Sequence, residues 1–138
     1  MGSVRTLNAR QRAFLEAVRF GALATVDPNG SPHLTTMWYL VDGDEIMFNT
    51  ARGRRKPDNL SRDPRVSLLV LDGYTFVRVA GSAREAATGE AALADIHRLA
   101  VRYDGEEAAA GAMERFRTQK RVSYRFVIER VYASADLR

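Results

Sequence analysis

Four cations fall within five consecutive positions, Arg52, Arg54, Arg55 and Lys56, in the stretch Asn49-Thr50-Ala51-Arg52-Gly53-Arg54-Arg55-Lys56-Pro57-Asp58-Asn59-Leu60. Pro57 reads as the first turn of a short helix, where its missing N–H costs nothing. Asp63-Pro64 ends that helix, because the residue before a proline is pushed out of the helical region. The cations therefore crowd a helix N-terminus, which the helix dipole already makes positive. A bound anion would resolve that conflict, and the free backbone N–H groups at the same end would serve it. Phosphate is the best fit. The competing reading is a solvated basic turn, with Arg54 and Lys56 exposed when no ligand is bound.

Little else in the chain is of catalytic type. There is no cysteine, which removes disulfides, thiolate nucleophiles, iron–sulfur clusters and cysteine zinc sites together. His33 and His97 are the only histidines, so no metal site is expected. His33 follows a turn and reads as a surface or hydrogen-bonding residue, and His97 sits on an Ala-rich helix. No Ser/His/Asp or paired-carboxylate arrangement stands out, so hydrolase chemistry has no visible machinery. No catalytic residue is named. That is the expected pattern if a cofactor carries the chemistry and the protein binds and orients it.

The elements that must position the basic stretch follow from patterning. A chain of 138 residues, 46% hydrophobic, suits one domain over residues 1–138 with a real core. Leu7 to Arg19 reads as a helix, with Asn8 as N-cap and Phe14, Leu15 and Val18 on one face. Ala22 to Val26 is a short strand, and Asp27-Pro28-Asn29-Gly30 is a turn. The next strand runs from Ser31 or Pro32 to Val41, with His33, Thr35, Met37 and Tyr39 opposite Leu34, Thr36, Trp38 and Leu40. Asp42-Gly43-Asp44 turns into a strand from Glu45 to Thr50, with Ile46 and Phe48 opposite Met47 and Asn49. Val66 to Leu71 is an apolar run, and Asp72-Gly73 leads into the strand Tyr74 to Glu85, where Gly81 reads as a bulge. Thr88 caps a helix through its hydroxyl, and Gly105 or Glu106-Glu107 ends it. Glu107 to Thr118 is another helix, with Met113 and Phe116 buried. Arg121 to Tyr132 is a long last strand. Six strands joined mainly by hairpins imply a mainly β fold, an antiparallel sheet closed into a small barrel with flanking helices. A strand face including Tyr74, Phe76, Val77 and Val79 is left uncovered, which implies a homodimer.

Charge and hydropathy bound the partners. The net charge of +4, from 21 Lys+Arg against 17 Asp+Glu, is largely the basic cluster. It points to a local anionic ligand rather than a nucleic-acid-coating surface. No apolar run approaches ~18 residues and the N-terminus lacks a signal-peptide core. A cytoplasmic protein with no nucleic-acid and no membrane partner is expected.

Three segments carry a resemblance: Leu23 to His33, then Met37-Trp38-Tyr39, then Lys56-Pro57-Asp58-Asn59-Leu60-Ser61-Arg62-Asp63-Pro64-Arg65-Val66. They resemble the pyridoxamine 5′-phosphate oxidase-like superfamily, and within it the short branch that uses the deazaflavin coenzyme F-420. The element order and the ending Ile128 to Leu137 fit as well. The resemblance implies a split β-barrel of the FMN-binding type, forming a two-fold homodimer with two cofactor sites in the interface. It implies that Arg54 and Lys56 contact the phosphate, with Thr50, Ala51 and Asn59 beside them and Asn49 also counted as cofactor-binding. Thr36, Met37 and Trp38 match positions near the ring, although Trp38 also reads as plain core. Tyr124 and Arg125 could reach the partner's site. Arg52 and Arg55 leave positive charge for the acidic tail of F-420, which flavin mononucleotide (FMN) lacks. The Arg- and His-bearing C-terminal motif of true pyridoxamine phosphate oxidases is absent, so vitamin B6 oxidase activity is not expected. The implied function is hydride transfer from reduced F-420 to a small conjugated acceptor such as a quinone, a biliverdin-like tetrapyrrole or an enone. FMN as cofactor, a haem-linked variant and a non-catalytic carrier or sensor are the alternatives.

Overall fold

The computed structural model describes residues 6–138. The reading of the extreme N-terminus as lacking a signal-peptide core begins on residues 1–5, outside the described residues. Eight strands, not six, are described. The extra two arise where runs that read as single strands change partners. The first such run divides into β2 (Pro32–Met37) and β3 (Leu40–Asp42). β2 pairs with β1 (Gly21–Val26), whereas β3 pairs with β4 (Glu45–Ala51). The last run divides into β7 (Arg121–Val127), which pairs with β4, and β8 (Arg130–Ala133). Period-two alternation survives the first crossing, where Met37, Tyr39 and Val41 all face the interior, whereas at the second the inward phase slips from Ile128 to Val131 and Ala133.

β5 (Arg65–Asp72) and β6 (Thr75–Thr88) complete the sheet, in the order β2-β1-β5-β6-β7-β4-β3 with β8 also on β6. β6 belongs to both halves. Its first part pairs with β5 and β8, and from Ala83 onward it pairs with β7. The register shift lies between Glu85 and Ala87 rather than at Gly81. Gly81 has a different reason to be glycine. It is buried where β6 changes partners, and a Cβ there would fall inside contact distance of the Val127 carbonyl oxygen. At the same seam Ile128 N–H donates to Asp44 O and Glu129 N–H to Ala80 O, both at 2.9 Å. The crossing peptides therefore keep their hydrogen bonds.

The helices frame this barrel. α1 (Ala9–Glu16) is shorter than predicted but capped as predicted. Asn8 Oδ1 accepts from Gln11 N–H and Gln11 Oε1 accepts from Asn8 N–H, a capping box. α1 stops before Val18, which is exposed instead of sharing the buried face. α2 (Arg55–Arg62) is the basic helix, with Pro57 in its first turn and Asp63 at its C-cap. α3 (Gly89–Asp104) and α4 (Glu106–Phe116) form a hairpin around Gly105, whose positive φ of 89° suits a residue without Cβ. Thr88 stands at the N-cap of α3, but its side chain makes no capping hydrogen bond.

Two cores result. Leu15, Leu23, Phe48, Leu68, Val79 and Phe126 fill the barrel interior. Met47, Ile96, Leu99, Ala109, Met113 and Phe116 join the α3–α4 hairpin to the outer face of the sheet. β4 is consequently buried from Ile46 to Ala51, Ile46 and Phe48 inward and Met47 outward. The strand face proposed above as uncovered is not one face. Val77 and Val79 are core residues, Phe76 is half-buried, and Tyr74 is fully exposed in the β5–β6 turn.

Two glycine substitutions of opposite sign test this account. Gly81→Ala is expected to destabilise by roughly 2–3 kcal/mol, because backbone must move to admit the methyl group. Gly111→Ala, exposed inside α4 with open space around it, is expected to stabilise by about 0.5–1 kcal/mol. Urea unfolding midpoints check both.

Candidate functional site

The seam between barrel and helical hairpin opens as a cleft of about 240 Å³. It is lined by Thr36, Met37 and Trp38 at the end of β2, Asn49 on β4, Arg54 before α2, Ile96 on α3, Arg115 and Phe116 on α4, and Arg121 on β7. Five residues that the sequence marked out, Thr36, Met37, Trp38, Asn49 and Arg54, are thus brought together. A larger cleft of about 440 Å³ between α3 and α4, which includes His97, holds none of them.

The cleft is positively charged and has no carboxylate in its lining. Arg121 is only 7% exposed. Its Nε donates to Asn49 Oδ1 at 2.9 Å and its Nη1 to Gln119 Oε1 at 2.8 Å, both neutral amide oxygens. Burial, and then the neighbouring Arg54 and Arg115, push its guanidinium down to about 10. Lys56 is 8% exposed, contrary to the expectation of an exposed side chain. It makes no ion pair among the described residues. Burial and then Arg54 lower its ammonium pKa. Arg54 itself is exposed at the N-cap of α2 and makes no capping bond.

The other predicted residues are placed elsewhere. Arg52 pairs with Glu85 and Arg55 with Asp27. The conflict between the cluster and the helix dipole is therefore partly resolved by the protein's own carboxylates. Arg52 lies in a neighbouring cleft with Thr88, Gly89, Gln119 and Lys120, which shares Arg121 with the first. Asn59 is occupied internally, its Nδ2 donating to Thr25 Oγ1 and Asp27 Oδ1 at 3.0 Å each. Thr50 and Ala51 are buried, and the Thr50 hydroxyl has no hydrogen-bond partner. Tyr124 is buried in the barrel and stacks on Phe48, with ring centroids 5.4 Å apart. Arg125 is paired with Asp42 and Glu45. Neither is free to reach outward.

The aromatic wall of the cleft is fixed in place. Trp38 stacks on Tyr103 with centroids 5.3 Å apart and planes 8° from parallel. Tyr103 also stacks on Phe20 at 5.6 Å. The Tyr103 hydroxyl donates to Arg19 O at 2.6 Å and accepts from Tyr39 N–H at 3.2 Å. Trp38 is thus both a core residue, packed against the helical cluster, and a wall of the cleft. Tyr103, Arg115, Phe116 and Arg121 escaped the sequence reading. One signal for them was present, a second basic run at Arg115, Arg117, Lys120 and Arg121.

The pyridoxamine 5′-phosphate oxidase family profile matches residues 7–135. The chain belongs to that family. A crystal structure of a conserved hypothetical protein from Mycobacterium tuberculosis is 34% identical, with 94% of this chain and 85% of that one covered and a TM-score of 0.75. A structure described as an F420 reductase is 26% identical, with 88% and 94% covered and a TM-score of 0.70. A heme storage protein of Vibrio cholerae shares the fold at 17% identity, with 94% and 95% covered and a TM-score of 0.70. The architecture, helices around a dominant antiparallel sheet, agrees with the split barrel of this family. No helix among the described residues is long and apolar enough to cross a membrane.

Trp38 is the only tryptophan, so the stack can be read directly. Tyr103→Leu is expected to shift Trp38 emission to longer wavelength. It should also cost about 2–3 kcal/mol through lost stacking and hydrogen bonds. Fluorescence spectra and denaturation curves of the variant check both parts.

Proposed function

We propose that the cleft binds a phosphate-bearing flavin or deazaflavin, F-420 in preference to FMN, and that the protein is an oxidoreductase. The observation that carries this reading is the juxtaposition of unneutralised guanidinium groups and a fixed aromatic wall in one cleft. Oriented cations of this kind suit a phosphate, and a flat ring suits the face of Trp38. The family and the F420 reductase at 26% identity support the same class of cofactor. When bound, a reduced deazaflavin supplies a hydride to a conjugated acceptor such as a quinone, biliverdin-like compound or enone.

The chain's own part is binding, orientation and exclusion of water. Arg54, exposed at the rim, meets the phosphate. Trp38, Met37 and Ile96 form the apolar side against which a ring is held, which limits water at the reacting face. No side chain in the cleft offers an acid or base at neutral pH, in keeping with chemistry carried by the ring. The surplus positive charge for an acidic tail comes from Arg115 and Arg121, since Arg52 and Arg55 are paired.

A homodimer belongs to the same proposal, with a corrected face. The strand residues that alternate with the buried ones give an outward apolar strip that includes Ala24, Leu34, Leu69, Leu71, Phe76 and Tyr132. Such a strip suits a self-complementary interface.

Titration with both cofactors, followed by anaerobic mixing of the reduced deazaflavin complex with the three acceptor types, tests the reading. Binding of F-420 with oxidation by one acceptor is expected. Flavin binding alone would overturn the cofactor, and binding without turnover would favour a carrier. Arg54→Ala is expected to weaken binding about 10- to 100-fold with little effect on folding. Light scattering is expected to give twice the 15.4 kDa chain mass, and Leu69→Arg to return a monomer.

A further inference from the structure

We infer that Arg121 is the specificity-determining residue that reads ligand charge in this cleft, and that Asn49 is its positioning residue. This deepens the proposed function, resting on the cleft as an anion site but not on the identity of the ring.

A buried cation without a counter-ion is costly, and proteins ordinarily pair it. Several arginines of this chain are paired, Arg52 with Glu85, Arg55 with Asp27, Arg65 with Asp63 and Arg125 with Asp42, whereas the part-buried Arg102 donates only to main-chain carbonyls. Arg121 is more buried than any of these, and unlike the four paired ones it has no carboxylate. Its two hydrogen bonds go to neutral amides, and its other N–H groups have no acceptor among the described residues. The Phe116 ring replaces the missing anion only in part, with Arg121 and Arg115 each 5.0 Å from its centroid. The charge is kept in the wall of the cleft and left for a ligand.

Asn49 fixes its direction. The Asn49 Nδ2 donates to Ala92 O at 3.0 Å and to Ser123 Oγ at 2.9 Å, so Oδ1 must face Arg121 Nε. A flipped amide would set oxygen against the Ala92 carbonyl and nitrogen against a cation. Asn49 is 5% exposed and its hydrogen-bonding groups are occupied. The sequence placed it against the cofactor, whereas the geometry gives it a role through Arg121. Arg54 differs in kind. It is exposed and keeps its hydration, so it attracts an anion without rejecting a ligand that lacks one. Arg121 penalises an uncharged ligand, because filling the cleft would strip water from a cation and return nothing.

The test uses the full chain and four probes: FMN, F-420, riboflavin as the phosphate-free ring, and inorganic pyrophosphate as the ringless anion. Arg121→Gln is expected to lower affinity for FMN or F-420 and for pyrophosphate about 10- to 100-fold, and to raise the affinity for riboflavin by relieving the penalty on an uncharged ligand. Arg121→Lys keeps the charge but loses the fork, and is expected to lose most of the same affinity. Asn49→Ala is expected to fall between Arg121→Lys and the wild type, with the loss confined to the anionic probes. An equal loss for riboflavin in these variants would reduce both residues to structural roles and overturn the inference. So would unchanged pyrophosphate binding by Arg121→Gln with a cooperative unfolding transition. If Arg121→Gln does not fold, Arg121→Lys and Asn49→Ala decide by the same criteria. Wild-type protein that binds pyrophosphate but neither cofactor would refute the proposed function, and the inference would still stand or fall on the variants. Wild-type protein that binds no anion would sink the inference directly.

Discussion

Strand β6 is shared between two halves of a sheet, and the handover has to happen at one place. At Gly81 the strand leaves β8 and approaches β7, and the Val127 carbonyl occupies the space a side chain would need. The chain pays for this close approach with a residue that packs nothing. In return the sheet wraps around one interior rather than lying open. The crossing at Trp38-Tyr39 answers the crossing at Ile128-Glu129, each passing the backbone from one half to the other. A cleft forms where β2 and β3 part, and that parting depends on the same split.

Charge then separates the cleft from the rest of the surface. The four clustered cations look alike in sequence but have different fates. Two are neutralised by carboxylates from β6 and the β1–β2 turn, one is buried beside the helix, and one remains at the rim. The cleft's remaining cations, Arg115 and Arg121, come from further along the chain, on α4 and β7. A basic motif at a helix start thus marks the neighbourhood of the site and supplies only part of its grip.

What was legible in the sequence was mostly local. Hairpin turns at Asp27–Gly30 and Asp42–Asp44, the Asn8 cap, the faces of β4 and the bounds of α2 all depend on interactions within a few residues. The partner change at Trp38-Tyr39 was not legible, because alternation continues there while the neighbour is exchanged; at Ile128-Glu129 the inward phase slips by one residue, within a run whose apolar residues fall on both phases and hide the slip. Gly81 carried the right signal with the wrong cause, close approach in place of a bulge. The resemblance set Trp38 beside a ring, and the structure sets it in the wall of the cleft. Arg121 was missed because a strand-initial arginine looks solvated until the helix Glu106–Phe116 and Gln119 close over it. Lys56 was misread for the same reason. The burial of a cation is a tertiary fact with no local signature.

β4 is covered on both sides, and Asn49 is the polar stitch on its outer side, holding the Ala92 carbonyl of α3 with one end and Arg121 with the other. Any fluctuation that lifts the α3–α4 hairpin must break the bond from Asn49 to the Ala92 carbonyl and uncover the guanidinium, whose own bonds to Asn49 and Gln119 stay on the sheet side. Neutralising Arg121 from the cleft removes the repulsion that favours such an opening. If the cleft takes an anion as proposed, its occupancy would be linked to opening of the hairpin, and amide exchange in α3 should slow as the cleft fills.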